Sequence, residues 1–270
     1  MERDSNKIKF SAAGVLVSLG IIYGDIGTSP LYVFKAIIGN HVITEDLILG
    51  GVSCVIWTLT IVTSLKYIYL ALNADNKGEG GIFALYALVR KYRAGWVIYP
   101  AIIGCCTMLS DGFITPAISI SSAVEGLTIN NPEIHTVPIV VAILVLLFVF
   151  QQFGTSVVGK TFGPIMFLWF TTLALTGFFS FIHVPAVWKA INPIYAWNLL
   201  VHYPGGFWIL GAVFLCTTGA EALYSDLGHC GKANIRTGWW FVKAALIMNY
   251  LGQAAWLMQH VGEKLDGKIP

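Results

Sequence analysis

Seven long apolar stretches constrain the fold of this chain more than any other feature. Most match or exceed the roughly 20 residues that an α-helix needs to cross the hydrocarbon core of a bilayer. Charged residues are only 11% of the 270 residues, against about 25% in soluble domains. We therefore predict an all-α, polytopic membrane helix bundle, a single transmembrane domain over residues 1–270 with no soluble domain. The predicted spans are 11–39, 47–72, 97–128, 137–153, 161–184, 205–228 and 238–259.

The rest of the composition argues against several other classes of protein. The net charge is only +2 and no basic cluster accompanies aromatic residues, which excludes a nucleic-acid partner. None of the five cysteines has the CxxC spacing of a zinc or redox site. The sequence has no P-loop for ATP, no HExxH motif and no G-x-S-x-G motif. We therefore predict that the chain is not an enzyme, binds no cofactor and has the lipid bilayer as a partner.

Basic residues predict how the chain is oriented in the membrane. If the N-terminus is inside, the inner segments 1–10, 73–96, 154–160 and 229–237 hold ten Lys and Arg residues, whereas the outer segments hold three. Inner loops of membrane proteins are enriched in Lys and Arg. We therefore predict a multi-pass protein of the cell membrane with a cytoplasmic N-terminus.

The first predicted span carries a sequence that disfavours a continuous helix. Residues 24–30 read Gly-Asp-Ile-Gly-Thr-Ser-Pro, so two glycines and a proline fall within seven positions. Both residue types are unfavourable inside a helix, and the segment is predicted to break it. Irregular backbone at membrane depth is tolerated only where it is enclosed by protein or lines a watery cavity.

Four acidic residues lie in or near the ends of predicted spans: Asp25, Asp111, Glu125 and Glu221. A charge at the bilayer centre costs at least about 2.5–3.5 kcal/mol on insertion scales, so such residues usually have a function. The nearby basic residues are predicted to lie closer to span ends, and Glu125 has no basic residue near it in the sequence. Those basic residues are Lys35, Lys66 and Lys243. Unpaired acids in a protein-lined cavity suit a cation or a proton as their partner.

Hydroxyl groups accompany these acids at helical spacing. Asp111, Thr115, Ser119 and Ser122 follow one another at intervals of four, four and three, and Glu125 continues the same predicted helix face. Oxygen ligands of this kind suit alkali cations. The simpler alternative is that each hydroxyl bonds the carbonyl one turn earlier in its own helix.

Two other spans show a similar set of oxygens. Thr218, Glu221 and Ser225 stand at i, i+3 and i+7 in the sixth span, which predicts a second stripe on one helix face. At and after the predicted break in the first span, a carboxylate is followed by three hydroxyls, those of Thr28, Ser29 and Tyr32. Tyr32 taken alone is equally consistent with a packing residue. Asn249 and Gln253, at i and i+4 in the seventh span, are predicted to form hydrogen bonds between helices.

Six motifs in series resemble a known family. They are YGDIGTSPLYVF at 23–34, NADNKGEGGIFALYALV at 73–89, SDGFITPAISISSAVEGL at 110–127, FGPIM at 162–166, TTGAEALYSDLGH at 217–229 and NYLGQAAWL at 249–257. The chain resembles the KUP/HAK/KT potassium transporters at these positions. The resemblance implies potassium–proton symport and the inverted-repeat fold of the amino acid–polyamine–organocation (LeuT-like) superfamily, in which the first helix of each repeat is broken. Spans one and six correspond to those two helices.

The resemblance also implies functional residues, position by position. The family's potassium site matches six residues of this chain: Asp25, Tyr32, Thr115, Ser119, Thr218 and Glu221. Two further acids that are important in the family match Asp111 and Glu125. Asp25, Asp111 and Glu125 are the candidates for proton coupling. Potassium is then the substrate and the proton the coupling ion.

One departure from the family concerns length. Family members have about twelve spans and usually a soluble C-terminal domain, whereas this chain has seven predicted spans. We expect a fold truncated after span seven, with the missing C-terminal helices or a second subunit as partners. Alternatives to potassium symport are an amino-acid or organic-cation transporter of the same fold and a non-transporting membrane fragment. A channel is disfavoured because the sequence has no TVGYG-like filter and no regular Arg series.

Overall fold

The computed structural model describes residues 8–92, 95–129, 131, 133–151 and 155–265, and over these residues the chain is helical. Two isolated β-bridges, Val42–Lys264 and Asn76–Glu79, are the extended pairings among them. The all-α prediction is therefore confirmed. The α-helices are α1 (Ala12–Ile22), α2 (Gly24–Thr28), α3 (Val33–Ile38), α4 (Glu45–Thr58), α5 (Ile82–Arg90), α6 (Ile98–Glu125), α7 (Thr136–Gln151), α8 (Thr155–Phe181), α9 (Pro193–His202), α10 (Gly206–Phe214), α11 (Ala222–Ser225), α12 (Leu227–Cys230) and α13 (Lys232–Leu257).

Several of these helices are joined into longer units by tighter or wider turns. A π-helix, Leu59–Leu70, continues α4, and a 3₁₀ turn, Ala71–Asn73, ends it. The remaining 3₁₀ segments are Ser29–Leu31, Gly95–Val97, Gly126–Ile129, Pro185–Ile191, Leu215–Thr217 and Met258–His260. Short segments of this kind mark positions where a helix ends or changes direction.

Four helical units in the described part of the chain are long and apolar enough to cross a membrane: Glu45–Asn73, Gly95–Thr128, Thr161–Phe181 and Gly206–Ser225. Ala12–Ile22 and Gly24–Leu31 make a fifth if the bent pair counts as one span. The two other predicted spans are also helical, but they differ in length or polarity. The predicted span 137–153 corresponds to α7, whose apolar part is short, and 238–259 corresponds to α13, which begins in polar residues.

Two features outside the apolar stretches differ from expectation. Helix α8 starts at Thr155, six residues before the predicted span, since polar residues can extend a helix beyond the apolar core of a membrane. Helix α9 lies in what was predicted to be an outer connection. Its start could have been recognised, because Asn192 caps it by accepting a hydrogen bond from the Ile194 N–H at 3.0 Å and Pro193 occupies its first position.

The centre of the bundle is the crossing of α8 and α13, with α1 packed against both. Gly177 and Gly252 meet at this crossing, and a Cβ on Gly177 would lie 2.3 Å from the Met248 carbonyl oxygen. Glycine therefore allows the two backbones to approach closely, as small residues do in membrane bundles. Tyr23 is fully buried against the first half of α13, where it donates a hydrogen bond to the Ile235 carbonyl at 2.5 Å.

The predicted break in the first span is present. Helix α1 ends before Tyr23, and the following unit Gly24–Leu31 is bent by 68° relative to it. The helix is interrupted again after Thr28, where the segment Ser29–Leu31 forms a 3₁₀ turn and Tyr32 leaves the helical region at φ −135°. Pro30 lacks the N–H that would continue the helical ladder, which explains the second interruption.

The sixth predicted span is also broken. After the 3₁₀ turn Leu215–Thr217 the chain becomes extended at Thr218, with ψ 131°, and Gly219 has φ +82°. A left-handed backbone is easily adopted only by glycine, so the helix ends here and α11 starts three residues later. The predicted stripe of Thr218, Glu221 and Ser225 on one helix face is therefore wrong, because Thr218 lies outside the helix.

Candidate cation site

The breaks in the first and sixth predicted spans meet at Asp25 and Gly219. A Cβ on Gly219 would lie 2.6 Å from the Cβ of Asp25, a distance that real side chains do not reach. Gly219 is thus required both by its left-handed backbone and by this contact. The close approach places Gly219 of the second break directly against the Cβ and backbone of Asp25 in the first break.

Hydroxyl groups surround the backbone of Asp25. Its carbonyl oxygen accepts hydrogen bonds from the Thr28 hydroxyl at 2.9 Å and the Ser29 hydroxyl at 3.3 Å. These are the local bonds that isolated hydroxyls are expected to make. The Thr28 oxygen also lies 3.0 Å from the Ser119 hydroxyl, which brings α6 into contact with the break.

The polar stripe of α6 is formed as predicted. Thr115 is buried and donates its hydroxyl to the Asp111 carboxylate at 2.7 Å, rather than to the carbonyl one turn earlier. Asp111 is close enough to Asp25 and Glu221 for the three carboxyl groups to interact electrostatically. Helix α6 and both breaks therefore contribute acidic groups to one region.

Tyr32 and Thr218 complete this region. Tyr32 is 7% exposed, and its hydroxyl lies 3.4 Å from that of Ser29 and close enough to Thr218 to interact with its side chain. The six residues predicted for a cation site thus lie around the two breaks, with Ser119 linked through Thr28 and Thr115 through Asp111, and we call this set the cation site. They are Asp25, Tyr32, Thr115, Ser119, Thr218 and Glu221.

The arrangement of the cation site determines which ion it can hold. Among the described residues, no three His, Cys, Asp or Glu side chains are close enough to bind a metal ion together. A closed cage of carboxylates, which suits a divalent ion, is therefore absent from the part of the chain described. The site instead combines hydroxyl oxygens and unwound backbone with nearby negative charge. A monovalent alkali cation prefers oxygen ligands of this kind. Asp25 is exposed in this chain.

Glu125 differs from its predicted environment. Its carboxylate forms an ion pair with Lys35 of α3, so Glu125 is not one of the unpaired acids that the sequence predicted. The two residues are 90 positions apart in the chain, and the bent first span brings α3 beside the end of α6. Both side chains are about half exposed or more, at 64% for Lys35 and 47% for Glu125.

The Lys35–Glu125 pair borders a cleft of about 340 Å³ between the first span and α6. Tyr32 of the cation site also lines this cleft, as does Ser122 from the polar stripe. Glu125 therefore lines the same cleft as Tyr32 of the cation site, and is not among the three interacting carboxyl groups of Asp25, Asp111 and Glu221.

Two residues that contact the site were not predicted to belong to it. The Trp169 indole N–H of α8 donates to the Gly27 carbonyl at 2.8 Å, and the Gln253 amide of α13 donates to the Pro30 carbonyl at 3.0 Å. The sequence indicated helix–helix hydrogen bonds for Gln253 and Asn249, and these are present, to the Pro30 and Leu173 carbonyls. Nothing in the sequence pointed to Trp169.

Comparison with known proteins assigns the chain to a family. The model of the K+ potassium transporter integral membrane domain matches residues 12–266. The chain belongs to this potassium transporter family. Together with its apolar helices, this membership makes it a membrane protein. No solved structure matches the chain significantly.

Individual relatives in this family are similar over almost the whole chain. The chain is 61% identical to the "Probable potassium transport system protein Kup" of Cytophaga hutchinsonii, over 96% of its own length and 40% of the relative. It is 53% identical to the Enterococcus faecalis protein of the same name, over 93% of the chain and 39% of the relative. The chain thus spans about 40% of the length of these relatives, which are named as transport proteins and not as enzymes.

The Thr115–Asp111 hydrogen bond leads to a prediction about affinity. Thr115→Val keeps the shape of the side chain and removes the hydroxyl that bonds Asp111. We expect the apparent potassium affinity of the full gene product to fall about tenfold, which is the effect of losing one hydrogen bond to a charged group. Concentration-dependent uptake measures it. Thr172→Val is the matched control, because that exposed hydroxyl bonds only the Leu168 carbonyl of its own helix. Equal potassium affinities in the two variants would show that the polar stripe of α6 contributes only to helix packing.

Proposed function

We propose that the full gene product containing this chain takes up potassium by symport with protons. The observation that carries this proposal is the contact of the two helix breaks at Asp25 and Gly219. A broken helix leaves backbone groups unpaired at membrane depth, and in transporters such groups hold substrate and coupling ions. Relatives that are 50–61% identical to the chain are named as potassium transport system proteins, which supports potassium as the cation.

The contents of the cation site support a monovalent cation. A potassium ion that leaves water needs several oxygen ligands and a nearby negative charge. The hydroxyls of Thr115, Ser119 and Thr218 supply neutral oxygens, and Asp25 with Glu221 supplies the charge. The Tyr32 hydroxyl lies between the two breaks, beside Ser29 of the first and Thr218 of the second.

An amino-acid carrier of the same fold is the main alternative. Such a carrier presents helix N-termini to the carboxylate of its substrate. Here Asp25, Asp111 and Glu221 lie close together, and their negative charges repel an anionic group. The names of the relatives give this alternative no support.

The inverted-repeat, LeuT-like fold is part of the same proposal. In that fold the first helices of two five-helix repeats are broken and face each other across the site. The breaks at Tyr23–Tyr32 and Leu215–Glu221 are supporting evidence because they face each other in this way. The first repeat and two helices of the second then lie within this chain. Any further helices are contributed by the missing C-terminal part or by a second subunit.

Proton coupling is proposed for Asp25, Asp111 and Glu125. A proton and a potassium ion compete for a carboxylate, because each neutralises its charge. The transporter then has to change between its inward- and outward-facing states only with certain combinations of bound potassium and proton. Under that condition the competition couples the potassium flux to the proton flux. Glu125 fits this role by its place beside the cleft, where breaking its ion pair with Lys35 changes the contact between α3 and α6.

The proposal is tested with the full gene product in proteoliposomes. An acidic exterior is expected to drive potassium into vesicles against its gradient, and dissipating the proton gradient with an ionophore is expected to stop the accumulation. Parallel vesicles containing the 270-residue chain alone show whether this part suffices. Potassium entry that ignores the proton gradient contradicts symport, and entry of amino acids in its place contradicts the choice of substrate.

The N-terminus and the connection 73–96 are proposed to be cytoplasmic, since this orientation places most basic residues inside. Helix α5 lies in the connection, and Lys91 at its end is exposed. In a cysteine-free background, a cysteine introduced as Lys91→Cys is expected to react with an impermeant maleimide only in permeabilised cells. A cysteine at Lys189, in the predicted outer segment, serves as the opposite control. Labelling of Lys91→Cys in intact cells would contradict the proposed orientation and place the connection 73–96 outside the cell.

A further inference from the structure

The broken segment of the first span is held by side chains from two other helices. Trp169 of α8 donates its indole N–H to the Gly27 carbonyl at 2.8 Å. Gln253 of α13 donates its amide N–H to the Pro30 carbonyl at 3.0 Å. The two contacts lie on either side of Thr28 and Ser29, whose hydroxyls face the Asp25 carbonyl. The segment between them is therefore fixed at both ends from outside its own helix.

The carbonyls that are held are those that the break leaves without a helical partner. In the 3₁₀ turn, the Tyr32 N–H bonds the Ser29 carbonyl at 3.1 Å, and the following turn begins with the Ala36 N–H bonding the Tyr32 carbonyl at 2.9 Å. Pro30 lies between these two bonds, and its carbonyl accepts from Gln253. A carbonyl at membrane depth needs such a donor because no bulk water replaces it.

Gln253 is itself oriented by Asn249, one turn earlier on α13. The Gln253 amide also donates to the Asn249 side-chain oxygen at 2.7 Å, and the Asn249 amide donates to the Leu173 carbonyl of α8 at 3.2 Å. Asn249 is 7% exposed, so these bonds form inside the bundle. A continuous set of hydrogen bonds thus runs from α8 through Asn249 and Gln253 to Pro30.

The position of Pro30 determines that of Tyr32, two residues later in the same turn. Tyr32 is buried, and its hydroxyl lies beside those of Ser29 and Thr218 in the cation site. Gln253 follows Gly252, at which the backbones of α8 and α13 pack closely against each other. A shift of the Pro30 carbonyl therefore changes the distance between the two breaks.

We propose that Gln253, oriented by Asn249, is a positioning residue of the cation site, which sets its potassium affinity and selectivity by fixing the Pro30–Tyr32 turn. The inference rests on the proposed function, because it assigns Gln253 a role at that same site. The role assigned to Gln253 belongs to its amide nitrogen, which donates to the Pro30 carbonyl and to the Asn249 side-chain oxygen. The competing explanation is a hydrogen bond that only joins helices.

Equilibrium binding separates these two roles. The full gene product is placed in lipid nanodiscs, and potassium and sodium each compete with radioactive rubidium. Gln253→Met keeps the length of the side chain and removes the donor. We expect the potassium Kd to rise about tenfold, the effect of one lost hydrogen bond, and the preference for potassium over sodium to fall. Gln259→Met is the matched control on the same helical unit, because Gln259 is exposed.

Thermal unfolding in potassium-free buffer is measured for the same samples. A role confined to helix packing lowers the unfolding temperature of Gln253→Met without changing the ratio of potassium to sodium affinity. A positioning role changes that ratio. If the Met variant does not fold, Gln253→Glu at alkaline pH repeats the test, because an ionised carboxylate has the size of the amide but no donor.

Two reference samples separate failure of this inference from failure of the proposed function. If the unmodified protein binds no potassium, the proposed function fails and the inference fails with it. In the other case, the unmodified protein binds potassium and Asp25→Asn does not, which supports the cation site. If Gln253→Met then keeps both the potassium Kd and the selectivity within twofold, the positioning role is overturned.

Discussion

Asp25→Asn is expected to abolish potassium uptake by the full gene product while leaving its insertion in the membrane intact. The change removes a negative charge and keeps the shape of the side chain. The Asp25 carbonyl, which accepts hydrogen bonds from Thr28 and Ser29, is unaffected, so the local backbone keeps its geometry. A potassium ion that enters the cation site then lacks the carboxylate at the contact of the two breaks.

Uptake is measured in cells that lack their own potassium uptake systems, with the amount of protein in the membrane determined in parallel. Asp46→Asn is the matched control, because Asp46 is exposed in the first turn of α4 and belongs to neither break. We expect the control to retain uptake. Normal uptake by Asp25→Asn at normal expression disproves the assignment of the central carboxylate.

The sequence was sufficient to predict the features that depend on local chemistry. Glycine and proline within residues 24–30 predicted the break in the first span, because both residues act on the backbone at their own positions. The spacing of Asp111 and Thr115 predicted a shared helix face, and the two side chains form a hydrogen bond there. Both predictions need no knowledge of the rest of the fold.

Span six shows why the same reasoning fails elsewhere. Thr218, Glu221 and Ser225 have helical spacing, but Gly219 adopts φ +82° and ends the helix between them. A single glycine in an apolar stretch is compatible with a helix, at a cost of about 1 kcal/mol. What decides the conformation here is the contact with Asp25, nearly 200 residues away, which leaves no room for a Cβ. Only the resemblance to a family pointed to this break.

Long-range pairing was the other feature that the sequence did not indicate. Lys35 was placed near a span end and Glu125 was grouped with the unpaired acids, yet the two residues form an ion pair beside the bent first span. Trp169 likewise reads as one aromatic residue among many in α8, and its hydrogen bond to Gly27 depends on the crossing of separate helices. Sequence periodicity describes one helix at a time and contains no information about such contacts.

The Lys35–Glu125 pair leads to the prediction about coupling. Pairs of exposed charges contribute only about 0.2–1 kcal/mol, so protonating Glu125 is enough to release Lys35 without disrupting the bundle. Glu125→Gln imitates the protonated state permanently. We expect this variant to lose the acceleration of potassium uptake by a proton gradient. Its potassium affinity is expected to change less than that of Asp25→Asn, since Glu125 borders the cleft and is not among the carboxylates at the centre of the site.

Proton and potassium fluxes measured together in proteoliposomes of the full gene product test this prediction. Glu133→Gln is the matched control, because Glu133 is exposed in the connection after α6. Lys35→Met provides a second test: if the ion pair is what the proton breaks, this variant is also expected to respond weakly to the proton gradient. An unchanged proton-to-potassium ratio and an unchanged rate in Glu125→Gln would remove Glu125 from the mechanism. Coupling would then have to depend on Asp25, Asp111 and Glu221, where a proton and a potassium ion compete for the same carboxylates.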